Sequence, residues 1–375
     1  MTRRQRILLT ARSACAAWGM IELWRVLRTR ADVDLRLLAQ QPAVRIFHAE
    51  SIPCIDVGLP HAIAVDSPEA ARLLDYAASE VGAFAPDAVL AGLSTPNEGG
   101  IDEAVIVKAR CPSFVLQDFW GDCNLFYGRH ADCYLASDAY GEEQTMRRHG
   151  ARAVAVGSPR HARYAGIDFE ALRQHVLGER GLDASLHYPG LFTQPLFELP
   201  GYVKTLEAWS SAVARLAPGT SVIYRPHPAC SPRQVALVRD VIAGQGLAPV
   251  TISDGPVENA IAACSSIASA ISNANFDAVY VNYFARSPKA VPVYLLWERD
   301  LAAYLGGMQD LDAMPLVQWG MARSVRHAAG LEAALVETID PAARTGIWKS
   351  ASGMPDPVAA VDTVIDMLMR PAVFV

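Results

Sequence analysis

The chain is poor in charge. Asp, Glu, Lys and Arg make up 19% of its 375 residues, against 51% hydrophobic residues, and the formal net charge is −6. This balance excludes an intrinsically disordered chain. It also argues against a general nucleic-acid binder, whose footprint is basic. No CxxC pair occurs, and the seven cysteines (15, 54, 111, 123, 133, 230 and 264) are scattered and odd in number. Neither a disulfide framework nor a zinc site follows from such spacing, and a reducing cytoplasm is the expected compartment. No stretch reaches the roughly 18 apolar residues of a membrane span. The run Ile7-Leu8-Leu9 is too short for a signal peptide. GxGxxG and GxxxxGK[ST] are both missing, which removes the dinucleotide and P-loop signatures. There are no repeats and no low-complexity segments.

What the chain has is alternation. Short apolar runs at Arg6–Thr10, Asp34–Leu38, Ser51–Val57, Ala88–Leu93, Ser113–Gln117, Asp132–Ala136 and Val154–Gly157 read as strands. Between them lie helical patterns, of which 67–84 is the clearest. Ser67 caps it, Pro68 sits at its first position, and Ala70, Leu73, Leu74, Ala77 and Val81 recur at helical spacing. Asp102 and Glu103 sit in the first turn of a helix over 101–110, where the helix dipole favours acids. A second series follows, with strands expected at 186–193, 221–224, 249–253, 266–271 and 290–297. Residues 315–324 read as strand or loop, and Asp356-Pro357 opens a final helix. Strands alternating with helices imply parallel sheets covered on both faces. The expected organisation is an amino-terminal domain over 1–165, a linker over 166–185, a carboxyl-terminal domain over 186–353, and a last helix over 354–375 packing back on the first domain.

Two turns stand out. Tyr224-Arg225-Pro226-His227-Pro228 follows a buried strand, and its prolines end ladder pairing. Arg225 offers a permanent cation and His227 an imidazole donor, a pair suited to phosphate or diphosphate. Ser272-Asn273-Ala274-Asn275 follows a second apolar strand where a helix begins, and free amides at a helix start favour anions. Were the two strands neighbours in a parallel sheet, both turns would address one phosphate.

This layout resembles the GT-B glycosyltransferase architecture: α/β, two doubly wound Rossmann-like domains facing across a cleft. The stretch 224–228 resembles the His-Pro motif of bacterial sialyltransferases, Kdo transferases and CDP-glycerol glycerophosphotransferases. In those families the motif and a later Ser-rich turn contact the donor's phosphate. The resemblance therefore implies Arg225, His227, Ser272 and Asn273 as donor-phosphate residues, with Ser265 and Ser266 as a second match to the Ser-rich turn. Those families imply a nucleotide-sugar donor, a glycan or lipid-linked acceptor, and no metal or further cofactor.

The acceptor's base is expected among carboxylates on the first domain's loops: Asp118 first, beside aromatic Phe119 and Trp120, then Glu98. The acidic-acidic-glycine triplet that some sialyltransferase-like families use for the base is absent. Ser13, Ser94 and Trp120 are expected to face acceptor or sugar, and Asp254 and Glu258 the nucleotide's base or ribose. The arginines at 3, 4, 6, 12, 25, 28 and 30 could touch an anionic membrane surface. Two rival readings share the layout. One is a non-NAD nucleotide-sugar 2-epimerase or hydrolase, and the other is a scaffold that binds a nucleotide or a partner without chemistry.

Overall fold

The computed structural model describes residues 3–95, 97–309 and 313–374. It divides into two compact units, Met1–Ala165 with Pro355–Val375, and Gly166–Met354.

The first unit holds a parallel sheet of seven strands: β1 (Gln5–Ala11), β2 (Val33–Ala39), β3 (Ile55–Asp56), β4 (Ala88–Gly92), β5 (Ser113–Leu116), β6 (Cys133–Ala136) and β7 (Ala153–Ala155). Their order is β3-β2-β1-β4-β5-β6-β7, in register Ile7 with Leu35 and with Ala88. Strand β4 is buried along its whole length, the continuous apolar pattern of a sheet covered on both faces. One face packs Leu9, Leu90 and Leu116 against Met20, Phe47 and Val364, which come from the helices Ala14–Leu27, Ala43–Ala49 and Pro357–Met369. The other packs Leu8, Val89 and Val115 against Leu73 and Val105, from the helices Pro68–Phe84 and Ile101–Lys108. The last helix starts where Asp356 accepts the Val358 amide at 2.9 Å. Its apolar face joins the first unit's core, and Leu368 O accepts from Gln5.

In the second unit all strands are again parallel: β8 (Pro189–Phe192), β9 (Ser221–Arg225), β10 (Ala248–Thr251), β11 (Ser266–Ser269), β12 (Val291–Leu295) and β13 (Arg323–Val325). Their order is β10-β9-β8-β11-β12-β13. A core of Leu191, Val222, Tyr224, Ala268 and Val293 packs with Trp209 of the helix Pro200–Leu216.

Several expectations change. The linker over 166–185 is part of the second unit. Its helix Phe169–Gly178 is fastened by Arg173, which donates to the carbonyls of Ala184, Leu186, Ala262 and Ala263. The strand expected at 51–57 shrinks to an exposed edge pair, Ile55–Asp56. The helices Ala43–Ala49 and Pro341–Ala351 were not legible as helices, and 315–324 resolves into the short helix Pro315–Gln318 and β13. Five of the seven amino-terminal arginines are ion-paired. Arg3, Arg4, Arg12, Arg25 and Arg30 each pair with a carboxylate. Among the described residues, no helix is long and apolar enough to cross a membrane.

Candidate functional site

In the second unit the chain runs outward from β8 through β9 to β10, then returns to start again at β11 on β8's other side. The crevice outside the carboxyl ends of β8 and β11 is therefore a topological switch point, where open α/β sheets place ligands. β8 and β11 pack tightly: a Cβ on Gly190 would lie 2.5 Å from Cys264 Sγ and 3.0 Å from Ser266 O. Past β8, the Thr193 amide donates to Arg225 O at 3.0 Å and the Gln194 amide to Tyr202 Oη at 2.7 Å. The Gln194 side-chain oxygen accepts from the Ile271 amide at 2.9 Å, stitching the β8 loop to the β11 loop. Beyond Ile271, Ser272 Oγ accepts from the Ala274 amide at 3.1 Å and starts the helix Ala274–Phe284. Asn273 makes no side-chain cap bond, so Ser272 is the residue that caps.

His227 is exposed on the loop after β9. Its Nδ1 accepts from the Ala229 amide at 3.1 Å. That bond defines the neutral tautomer, with the proton on Nε2 available to a ligand. Although the residue is exposed, partial desolvation of its ring lowers the pKa of His227 below its ordinary value, which favours this neutral donor.

Arg225 spends three of its five donors on its own chain. Its guanidinium donates to Ile252 O at 3.0 Å, to Asp254 O at 2.7 Å and to Gly255 O at 2.7 Å. The cause is register: Tyr224 pairs with Thr251, so the carbonyls leaving β10 arrive beside Arg225 and claim its fork. A second correction concerns spacing. β8 lies between β9 and β11, so the turns after those strands stand two strand spacings apart, about 9.5 Å, and not side by side. That separation suits different parts of a nucleotide better than one phosphate. Asp254 is exposed, whereas Glu258 is 3% exposed in the first turn of the helix Val257–Ala263 and does not offer its carboxylate to solvent.

The first unit has its own switch point, between β1 and β4. Gly92, the last residue of β4, meets the helix Ala14–Leu27 so closely that a Cβ would lie 2.3 Å from Ala16 Cβ. Ser13 caps that helix, accepting the Ala16 amide at 3.0 Å and donating to Leu93 O at 3.2 Å. Ser94 is buried and donates to Asp102 at 3.0 Å. Trp120 is 4% exposed with its indole N–H on Asp138 at 2.7 Å, so its ring offers no stacking face to a sugar. Ser94 and Trp120 are thus withdrawn from solvent, whereas Ser13 is half-buried. Glu98 binds Arg12 at 2.7 Å. Asp118 lies half-buried just past β5.

A buried polar cluster escaped sequence reasoning. Asp102 accepts from Thr10 Oγ1 at 2.5 Å, Ser94 Oγ at 3.0 Å and the Gly92 amide at 3.3 Å, and burial raises its pKa. Its neighbour Glu103 accepts the Gly100 amide at 2.7 Å, and burial together with the Asp102 charge pushes its pKa up to about 7. In sequence the pair reads as ordinary first-turn acids. Only the sheet places Thr10, 92 residues away, beneath them.

Two doubly wound parallel sheets, one in each unit, are those of the GT-B fold. No protein-family model matches the sequence, and no curated protein does. Solved structures match over nearly the whole chain. UDP-GlcNAc 2-epimerase from Neisseria meningitidis, bound to UDP-GlcNAc, is 10% identical with TM-score 0.70, covering 98% of this chain and 100% of that one. The S. aureus MnaA–UDP co-structure is 12% identical with TM-score 0.71, covering 99% and 98%. MurG from Acinetobacter baumannii is 13% identical with TM-score 0.59, covering 98% and 99%. Epimerases and glycosyltransferases are thus both among the neighbours, and at these identities the likeness is one of fold.

Proposed function

We propose that the protein is a metal-independent glycosyltransferase that moves a sugar from a nucleotide-activated donor to a hydroxyl of a glycan or lipid-linked acceptor, in surface polysaccharide or glycoconjugate synthesis. The observation that carries this reading is on the second unit's carboxyl edge. His227 turns an Nε2 donor outward there, held by the Ala229 amide, on the same edge as the switch-point turn at Ser272. UDP and UDP-GlcNAc, named with two of the neighbours of this fold, support testing uridine nucleotides first.

Breaking the bond between the sugar's anomeric carbon and its phosphate oxygen leaves the electron pair on the nucleotide. His227 and the turn at Ser272 and Asn273 stabilise that developing charge with fixed donors. Arg225 acts indirectly, by holding the loop 252–255 and exposed Asp254, which is assigned to the nucleoside. The acceptor oxygen bonds to the anomeric carbon, and its proton passes to a carboxylate. Asp118, half-buried just past β5 in the first unit, is assigned as that base, with Glu98 as the second candidate.

Melting temperatures against UDP, UMP, CDP, CMP, GDP and TDP, without metal, test the reading, since a ligand at a hundredfold its Kd adds about 2.7 kcal/mol to folding stability. A shift with none of them sinks the reading in favour of a scaffold. Asp118→Asn should leave the shift intact while turnover falls about 10²- to 10⁴-fold.

A second reading, a 2-epimerase or hydrolase of the same fold, is supported by the epimerase among the neighbours of this fold. Release or epimerisation of a nucleotide-sugar with no acceptor present would select it.

A further inference from the structure

We infer that the first unit carries a site for an acidic acceptor sugar, whose carboxylate takes the place of Glu98 on the guanidinium of Arg12. The inference names the acceptor class for the transferase reading above and rests on that reading.

Arg12 is the first residue past β1, on the carboxyl edge that forms the first unit's switch point. It is 7% exposed, and its Nη1 donates to Glu98 at 2.7 Å. Its Nε and Nη2 are buried and have no hydrogen-bond partner among the described residues. Arginines that fasten the fold of this chain are satisfied differently. Arg173 donates to four carbonyls and Arg344 to three. A buried guanidinium with one bond for its five donors is under-satisfied, and a charged donor left unpaired is costly. Asp102 and Glu103 feel the Arg12 charge but do not fill the gap. Their hydrogen bonds come from Thr10, Ser94 and the amides of Gly92 and Gly100.

Arg12 is fixed and Glu98 is replaceable. A Cβ on Gly100 would lie 2.7 Å from Arg12 Cδ and Nε and 2.8 Å from Gln40 Oε1. Gln40 is itself held, accepting from the Ile101 amide at 2.7 Å and donating to Leu59 O at 2.8 Å. Glu98, by contrast, is 33% exposed, so the guanidinium meets it on the side nearest solvent. His61, half-exposed, stands 3.9 Å from the same Glu98 oxygen and is placed to hold that carboxylate when it leaves Arg12. With Glu98 withdrawn, Nη1 and Nη2 present two parallel donors, which a carboxylate meets in fork geometry. The ligand is assigned as a carboxylate, and not a phosphate, because a carboxylate already fits the position.

The test is titration calorimetry of the full chain with D-glucuronate, with D-glucose as its neutral counterpart, and with inorganic phosphate. In wild type Glu98 competes for Arg12 and glucuronate should bind weakly. Glu98→Ala removes the competitor, and we expect glucuronate affinity to rise about tenfold with glucose unchanged. Arg12→Lys added to Glu98→Ala keeps the charge without the fork and should abolish that gain. Glu98→Gln serves if the alanine variant does not fold, and selectivity for glucuronate over glucose decides if the double variant does not. Unchanged glucuronate affinity in Glu98→Ala, an equal gain for glucose, or a larger gain for phosphate would overturn the inference. Nucleotide melting shifts judge the transferase reading separately. A chain that shifts with a nucleotide but gains nothing for glucuronate keeps that reading and loses this site, whereas one that binds no nucleotide loses the acceptor role together with the reading.

Discussion

Glu98 accepts from Arg12 Nη1 at 2.7 Å, and Arg12 is 7% exposed with its Nε and Nη2 meeting no acceptor among the described residues. A guanidinium withdrawn from water is expensive unless paired, so most of what makes this burial tolerable is one carboxylate. Glu98→Gln retains an acceptor but removes the charge. Glu98 is itself 33% exposed, so we expect a loss of about 2 kcal/mol in unfolding free energy, below the range for wholly buried pairs. Urea denaturation measures it. A change below about 0.5 kcal/mol, ordinary for a surface substitution, would show that Arg12 is solvated instead.

Arg225→Ala should act as a loop mutation. It frees the carbonyls of Ile252, Asp254 and Gly255. The expected result is about 2 kcal/mol of destabilisation and faster proteolysis between 252 and 256, with nucleotide affinity affected less than by His227→Ala. The reverse ranking would return Arg225 to direct phosphate contact.

His227 gives a pH dependence of defined sign. Its folded pKa is depressed below the ordinary value by desolvation, so the folded state favours the neutral ring. The corresponding stability is complete above about pH 6.5 and disappears as pH falls through the depressed folded value. Protonating Nδ1 also removes the acceptor for the Ala229 amide. The stability difference between wild type and His227→Gln should therefore shrink as pH falls from 7 to 5. A difference constant over that range would place the imidazole outside the loop's hydrogen bonding.

Glu103 has the opposite sign. Its folded pKa of about 7 exceeds the ordinary 4.5, so folding favours the protonated form. That contribution is whole below 4.5 and is lost as pH rises through about 7. Glu103→Gln keeps the oxygen that accepts the Gly100 amide and cannot ionise. We expect the variant to gain on wild type between pH 5 and 8, by at most about 3 kcal/mol. Parallel stability profiles would mean that Glu103 stays ionised.

Local chemistry was legible in the chain itself. β1, β2, β4 and β6 lie within a residue or two of where the sequence places them, because β4 and β6 are buried along their whole length and β1 and β2 through their carboxyl-terminal halves, which demands apolar runs there. Ser67-Pro68 and Asp356-Pro357 start helices where their caps say, because capping is settled within four residues. Alternation of such elements was enough to imply two doubly wound sheets, and the turns at His227 and Ser272 were visible as strand ends. What only the tertiary structure decided is which groups meet. The order β9-β8-β11 separates two turns that each look like half of one site. Register hands Arg225 to the carbonyls beside β10. Thr10 and Ser94 converge on Asp102, and Gln194 reaches Ile271 across 77 residues. A side chain's type states what it can bond, but its partner is set by strand order and register, which depend on the packing of the whole sheet and on no short stretch of it.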